Sequence, residues 1–165
     1  MIKFEKISLE RFKQDVKKFF PAYTDKYIEL LYENIKLPTR GSKCSAGYDI
    51  YSTIAFNLQP EDKPIIIPLG IRAVMPQDMF LQVVPRSSTG FKTGAYLANT
   101  IGIIDADFYE SKEEGHILLK IVPNFEEVSV QAGDRIVQGI FLKYYTTDDD
   151  CVKAIRTGGI GSTGV

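Results

Sequence analysis

The chain is poor in the side chains that build metal cages and nucleophilic dyads. Its 165 residues hold only two cysteines, Cys44 and Cys151, and one histidine, His116. Neither cysteine has a partner at disulfide or zinc-ligand spacing, which excludes a zinc site and leaves two thiols expected to be free. His116 alone is expected at the surface or in a hydrogen bond rather than as a catalyst. Long hydrophobic runs are missing as well. The most apolar stretch, "IIIPLGI" from Ile65 to Ile71, falls far short of the roughly 18 residues of a transmembrane helix. The opening "MIKFEK" is charged at once and lacks the apolar region of a secretory signal, so an intracellular location is expected. Charge of one sign is not in excess either, the formal net charge being −1. Residues 1–43 carry 10 Lys or Arg against 6 Asp or Glu, and the remainder carries 10 against 15. Neither imbalance predicts a nucleic-acid-binding face. Chemistry must come mainly from carboxylates, hydroxyls, amides and backbone groups.

What is present suits a folded domain. The chain is 44% apolar and 25% charged, and a domain near this size buries roughly 70% of the surface of its unfolded chain. The first third reads as helical. From a Ser8 cap, Leu9, Phe12, Val16 and Phe19 fall at spacings of three and four, and Pro21 ends the run. A second helix is expected from a Thr24 cap through Tyr27, Ile28, Leu31 and Tyr32 to Asn34. Both are too short to stand alone and must dock on the rest of the chain or on a neighbouring subunit. After Leu37-Pro38 the texture changes to short runs rich in Ile, Val, Phe and Tyr: Tyr48–Thr53, Ile65–Pro68, Phe80–Val84, Ile117–Val122 and Ile136–Tyr144. Turn residues separate them, which predicts an all-β sandwich or barrel.

Five polar or Gly-bearing segments lie between these runs. They are "SAGYDIYS" (45–52), "PRSSTGFKTG" (85–94), "ANTIGIIDADF" (98–108), "AGDRIVQGIF" (132–141) and "RTGGIGSTG" (156–164). Singly, each could be an ordinary turn or a frayed tail. In the second, Arg86 with Ser87, Ser88, Thr89 and Gly90 offers a guanidinium fork, hydroxyls and backbone N–H groups suited to phosphate oxygens. The fifth repeats that set through Arg156, Gly158, Gly159, Gly161, Ser162 and Thr163. Walker spacing is absent, so the pattern fits a triphosphate held by surface loops of a β protein. In the third, Asp105 follows Ile101–Ile104 and could orient and deprotonate a water. Asp107 competes for that role and shares its face if the segment is extended, with Phe108 on the other side.

In order and content the five segments resemble the motifs of the trimeric dUTPase family, the strongest matches being "PRSSTG", "GIID", "GDRIVQ" and "GSTG". The resemblance runs from about Ile35 to Val165. The loop before "EGHILLKI" and the short tail motif look like variants of Gram-positive bacteria and their phages. It implies an all-β, jelly-roll-like subunit in a homotrimer, with active sites shared between subunits and closed by a C-terminal arm. The expected organisation is a helical extension over residues 1–34, a β domain over 35–155 and an arm over 156–165. The implied reaction is hydrolysis of dUTP to dUMP and pyrophosphate by water attack on the α-phosphorus, which keeps uracil out of DNA and supplies dUMP for dTMP synthesis. Nucleic acid and membranes are not implied as partners.

Carried over by position, Asp105 matches the general base. Arg86, Ser87, Ser88 and Gln138 match phosphate-binding groups, and Arg156, Gly161, Ser162 and Thr163 match the arm that closes over the γ-phosphate. Asn99, with Gly102 and Ile104 of the following hairpin, matches the uracil reader, and Phe108 the deoxyribose platform. Asp49 matches the carboxylate linked through water to a magnesium ion that the phosphates chelate. Three positions depart from the pattern: Phe108 replaces tyrosine, Ser88 replaces glycine, and Ile160 stands where a phenylalanine usually stacks on the base. Tyr109 and His116 are the candidate replacements for that stack. Two other functions stay open at this point. A dCTP deaminase of the same fold would need a glutamate base, and a nucleotide-gated regulatory protein would use the N-terminal helices to hold a partner.

Overall fold

The computed structural model describes residues 1–154, 156, 158 and 159. Among the described residues, twelve strands and three α-helices follow one another. They are β1 (Lys3–Lys6), α1 (Leu9–Phe19), α2 (Asp25–Glu33), β2 (Thr39–Arg40), β3 (Tyr48–Tyr51), β4 (Phe56–Leu58), β5 (Ile65–Pro68) and β6 (Ile71–Val74). After these come β7 (Met79–Pro85), α3 (Ser87–Thr93), β8 (Tyr96–Leu97), β9 (Gly102–Asp105), a 3₁₀ turn at Ala106–Glu110, β10 (Leu118–Val122), β11 (Val128–Val130) and β12 (Arg135–Lys143). The chain is mostly β, as the sequence predicts.

Both N-terminal helices start where their capping residues lie. Ser8 Oγ accepts from the Arg11 N–H at 3.1 Å, and Thr24 Oγ1 accepts from the Tyr27 N–H at 3.3 Å. Each cap satisfies an amide that has no partner within its helix. Phe12 and Val16 of α1, and Ile28 and Leu31 of α2, are buried in the same core as Ile50, Ile67, Ile71 and Leu81 of the sheets. The helices therefore dock on their own chain. The fully helical reading of the first third is corrected at its start, where Lys3–Lys6 pairs antiparallel with β6 and sets Phe4 opposite Ala73. Four residues are too few to display strand periodicity in a sequence.

The sheet that matters for function has the order β2-β3-β12-β7-β9. Its pairings are antiparallel. Gln138 of β12 lies opposite Asp49 of β3 on one side and Val84 of β7 on the other. At the far end of β7, Phe80 pairs with Asp105 of β9. This register fixes where every charged group of the site can be. Among the described residues, no helix is long and apolar enough to cross a membrane.

Candidate active site

One end of β7 gathers cations around a single carboxylate. Arg86, the residue after β7, donates from Nε to Asp49 Oδ1 at 2.8 Å, and Arg135 at the start of β12 donates from Nη1 to Asp49 Oδ2 at 3.2 Å. Arg86 also reaches Ser88 Oγ at 3.3 Å. Arg86, Ser88 and Arg135 edge a cleft of about 440 Å³ that Thr89 and Lys92 of α3 also line. Asp49 is thus a brace that aims two guanidinium groups, and bidentate geometry suits guanidinium for phosphate oxygens. Nothing local in "GDRIVQ" marks Arg135 as part of the site. Its partner lies 86 positions away, and only strand pairing reveals the link.

The other end of β7 carries the hairpin. Asn99, Gly102, Ile104 and Phe108 line one small cleft of about 120 Å³, together with Val83, Leu97 and residues 116–120. Leading into it, Thr100 holds φ of 64° in a turn closed by Thr100 N–H to Leu97 O at 2.7 Å and Ile101 N–H to Asn99 O at 2.6 Å. A β-branched residue in that region is strained by about 1–3 kcal/mol, strain that persists only when surrounding structure imposes it. A backbone held this firmly presents its amide and carbonyl groups in fixed directions. Phe108, 9% exposed, forms the inner wall. The expectation that Asp105 and Asp107 share a face of extended chain is corrected, since Asp107 falls in the 3₁₀ turn. Both still converge, because Arg156 donates from Nε to Asp107 at 2.8 Å and from Nη2 to Asp105. Gly159 lies against Phe108, where an added Cβ would approach the ring to 2.9 Å. Ile160, Gly161, Ser162 and Thr163 lie outside the described residues.

His116 is not at the surface. It is 2% exposed and lines the small cleft. Its Nε2 accepts from the Gly70 N–H at 2.9 Å, so Nε2 is unprotonated and Nδ1–H donates to Asp15 at 2.6 Å. Burial pushes the His116 pKa below its ordinary value, against the pull of Asp15. For Asp15, burial opposes ionisation, yet hydrogen bonds from His116 and Arg11 hold its pKa at about 2. Tyr109, the other candidate for a base stack, has its ring under the Arg72 guanidinium at 4.2 Å.

Residues 33–164 match the profile of the dUTPase family. The chain belongs to that family. It is 39% identical over 140 residues to the deoxyuridine 5'-triphosphate nucleotidohydrolase of Lactococcus lactis, spanning 81% of this chain and 92% of that one. The enzyme of the same name from Arabidopsis thaliana is 34% identical, over 84% of this chain and 82% of its own length. The crystal structure of dUTPase from Streptococcus mutans superposes with a TM-score of 0.65 at 31% identity, covering 88% of this chain and 98% of that one. A Staphylococcus bacteriophage 80alpha dUTPase bound to dUpNHpp gives a TM-score of 0.62 at 20% identity, covering all of this chain and 99% of that one, a likeness of fold.

Among the described residues, no group of three or more His, Cys, Asp or Glu converges as a metal cage. Asp49 has both oxygens committed to arginines, but a carboxylate carries about four lone-pair sites. The remaining lone pairs can accept from a water. That suits magnesium, which keeps several waters and takes substrate phosphates as ligands.

Proposed function

We propose that the protein is a dUTP diphosphatase that works as a homotrimer inside the cell, with dUTP as substrate and dUMP and pyrophosphate as products. The observation that carries this reading is the separation of two complementary half-sites along β7. Arg86 follows Pro85, whereas Asp105 pairs with Phe80, so six residues separate them along the strand, roughly 20 Å at strand rise. A nucleotide gripped by Arg86 is out of reach of Asp105 on the same chain, and neighbouring copies must complete the site. Phe91, Phe125, Ile103 and Tyr96 supply apolar surface for that association, being 93%, 76%, 52% and 46% exposed.

In this reading Arg86, braced by Asp49, holds phosphate oxygens with Ser87, Ser88 and Gln138. The small cleft takes uracil, read by the Asn99 turn and the backbone of Gly102 and Ile104, while Phe108 packs on deoxyribose and leaves no room for a 2′-hydroxyl. Asp105 orients a water and accepts its proton as the oxygen attacks the α-phosphorus and the bond to the β-phosphate bridge breaks. Magnesium bound to the three phosphates would neutralise part of their charge, with Asp49 meeting it through water. Arg156 pairs with Asp105. A triphosphate offers this guanidinium a more highly charged partner, and its departure frees the base.

Pyrophosphate release from each deoxynucleoside triphosphate, with and without magnesium, tests the reading alongside the mass of the assembly in solution. Selective turnover of dUTP by a trimer, lost in Asp105→Asn, is expected. Equal turnover of dCTP, ammonia release from dCTP, or full activity in Asp105→Asn would overturn it.

A further inference from the structure

The family match starts at residue 33, so α1 and most of α2 lie outside it. Yet α1 is bonded to the segment that walls the small cleft. At its first turn, the Glu114 carboxylate accepts from both the N–H and the Oγ–H of Ser8, at 2.8 and 2.6 Å. Two turns later, Asp15 accepts from His116 and is itself held by the Arg11 guanidinium, with Nε at 2.8 Å. Between these ties the backbone is forced. Glu114 and Gly115 have φ of 55° and 69°, and a Cβ on Gly115 would come within 2.9 Å of Tyr109 Cα. That turn joins Phe108 at one wall of the cleft to His116–Lys120 at the other. Phe12 of α1 packs beside the imidazole, ring centres 6.2 Å apart.

We propose that α1 is a positioning element for the nucleoside pocket, with Asp15 fixing the His116 wall and Ser8 fixing the Glu114 turn. The inference rests on the small cleft being the pyrimidine subsite. Asp15 and Ser8 are positioning residues: neither lines the cleft, and each acts through a residue of the loop that does or that joins its walls. The imidazole bridges a helix carboxylate and the Gly70 amide, so its ring plane is set from both sides. With Asp15 neutral, one of those two supports weakens and the wall can rotate into or away from the space that a planar base needs.

The test separates the nucleoside half of the ligand from the phosphate half. Inhibition of the full-length enzyme by dUMP and by inorganic pyrophosphate is measured for wild type, Asp15→Asn and Ser8→Ala, with thermal melting as a check on folding. Weakening of dUMP inhibition by about tenfold in Asp15→Asn and about threefold in Ser8→Ala is expected, each step being a lost charge-assisted or capping bond. Pyrophosphate inhibition should stay within about twofold. Discrimination of dUTP over dCTP should fall with dUMP affinity. Parallel loss of dUMP and pyrophosphate binding would show that α1 merely stabilises the fold, and unchanged dUMP binding in folded variants would likewise overturn the proposal. A wild type that does not turn over dUTP would instead overturn the functional reading on which the proposal stands.

Discussion

The two ends of β7 build their halves of the site from different materials. At the Arg86 end, two guanidinium groups, Arg86 and Arg135, share one brace, Asp49, and the Arg135 side chain is 52% exposed. At the hairpin end, most of the cleft lining is apolar, Asn99, His116 and Lys120 being its polar side chains, and His116 is 2% exposed. Charges on flexible stems grip a triphosphate of any base. Discrimination between bases needs a shape that does not yield, and here that shape is anchored through the core as far as α1. The difference predicts that substitutions at the two ends fail in different ways.

The largest effect should come from Asp105→Asn. The amide keeps the side chain's shape but cannot take a proton, so kcat should fall by about 10²–10⁴-fold with KM little changed. Single-turnover assays measure this directly. Retention of kcat would move the base elsewhere, with Asp107 the nearest alternative through their shared Arg156.

Asp49→Ala should act next most strongly and in the opposite manner. Losing it releases Arg86 and Arg135 together, and KM for dUTP should rise by about 30–100-fold through lost phosphate positioning. Titrating magnesium separates the two roles of this carboxylate. A defect that persists at saturating magnesium marks Asp49 as the arginine brace, whereas one that excess metal repairs marks it as a metal partner.

A pH effect is expected from the buried His116–Asp15 pair behind the hairpin cleft. Unfolded His116 protonates near its ordinary pKa of 6.5, while burial holds the folded value lower. Stability is therefore full above about pH 6.5 and declines as pH falls from there through the folded value, by up to about 1.4 kcal/mol per pH unit. Asp15, at about 2 against an ordinary 3.8, adds a second decline across that lower interval. Urea melts between about pH 7.5 and about pH 5.5 check the first step. The slope should flatten in His116→Gln, and an equal slope in that variant would assign the titration to another group.

Much of this was legible in the sequence and some could not be. Ser8 and Thr24 announced their helices because a cap is a local event, readable within four residues. The positions assigned to the pyrimidine side share one cleft because "ANTIGIIDADF" is nearly continuous in space as in sequence. Arg135 and Asp15 escaped because their meaning lies in partners 86 and 101 positions away. Strand β1 escaped since its four residues acquire a pattern only when paired with β6. Contacts made through tertiary pairing leave no periodicity to read.

Salt gives the mildest and most direct contrast between the two ends. Partly exposed cations lose reach as the screening length falls from about 10 Å at 0.1 M salt to about 3 Å at 1 M, and Arg86 and Arg135 are both accessible enough to feel it. Inhibition by pyrophosphate should weaken about fivefold over that range. Deoxyuridine, an uncharged nucleoside, meets only the hairpin cleft, and its inhibition should change by less than about twofold. Competition assays at both salt levels measure each in the same preparation. Equal weakening of the two ligands would mean that the cleft relies on charge as much as the Arg86 end does, and the division of labour along β7 would then fail.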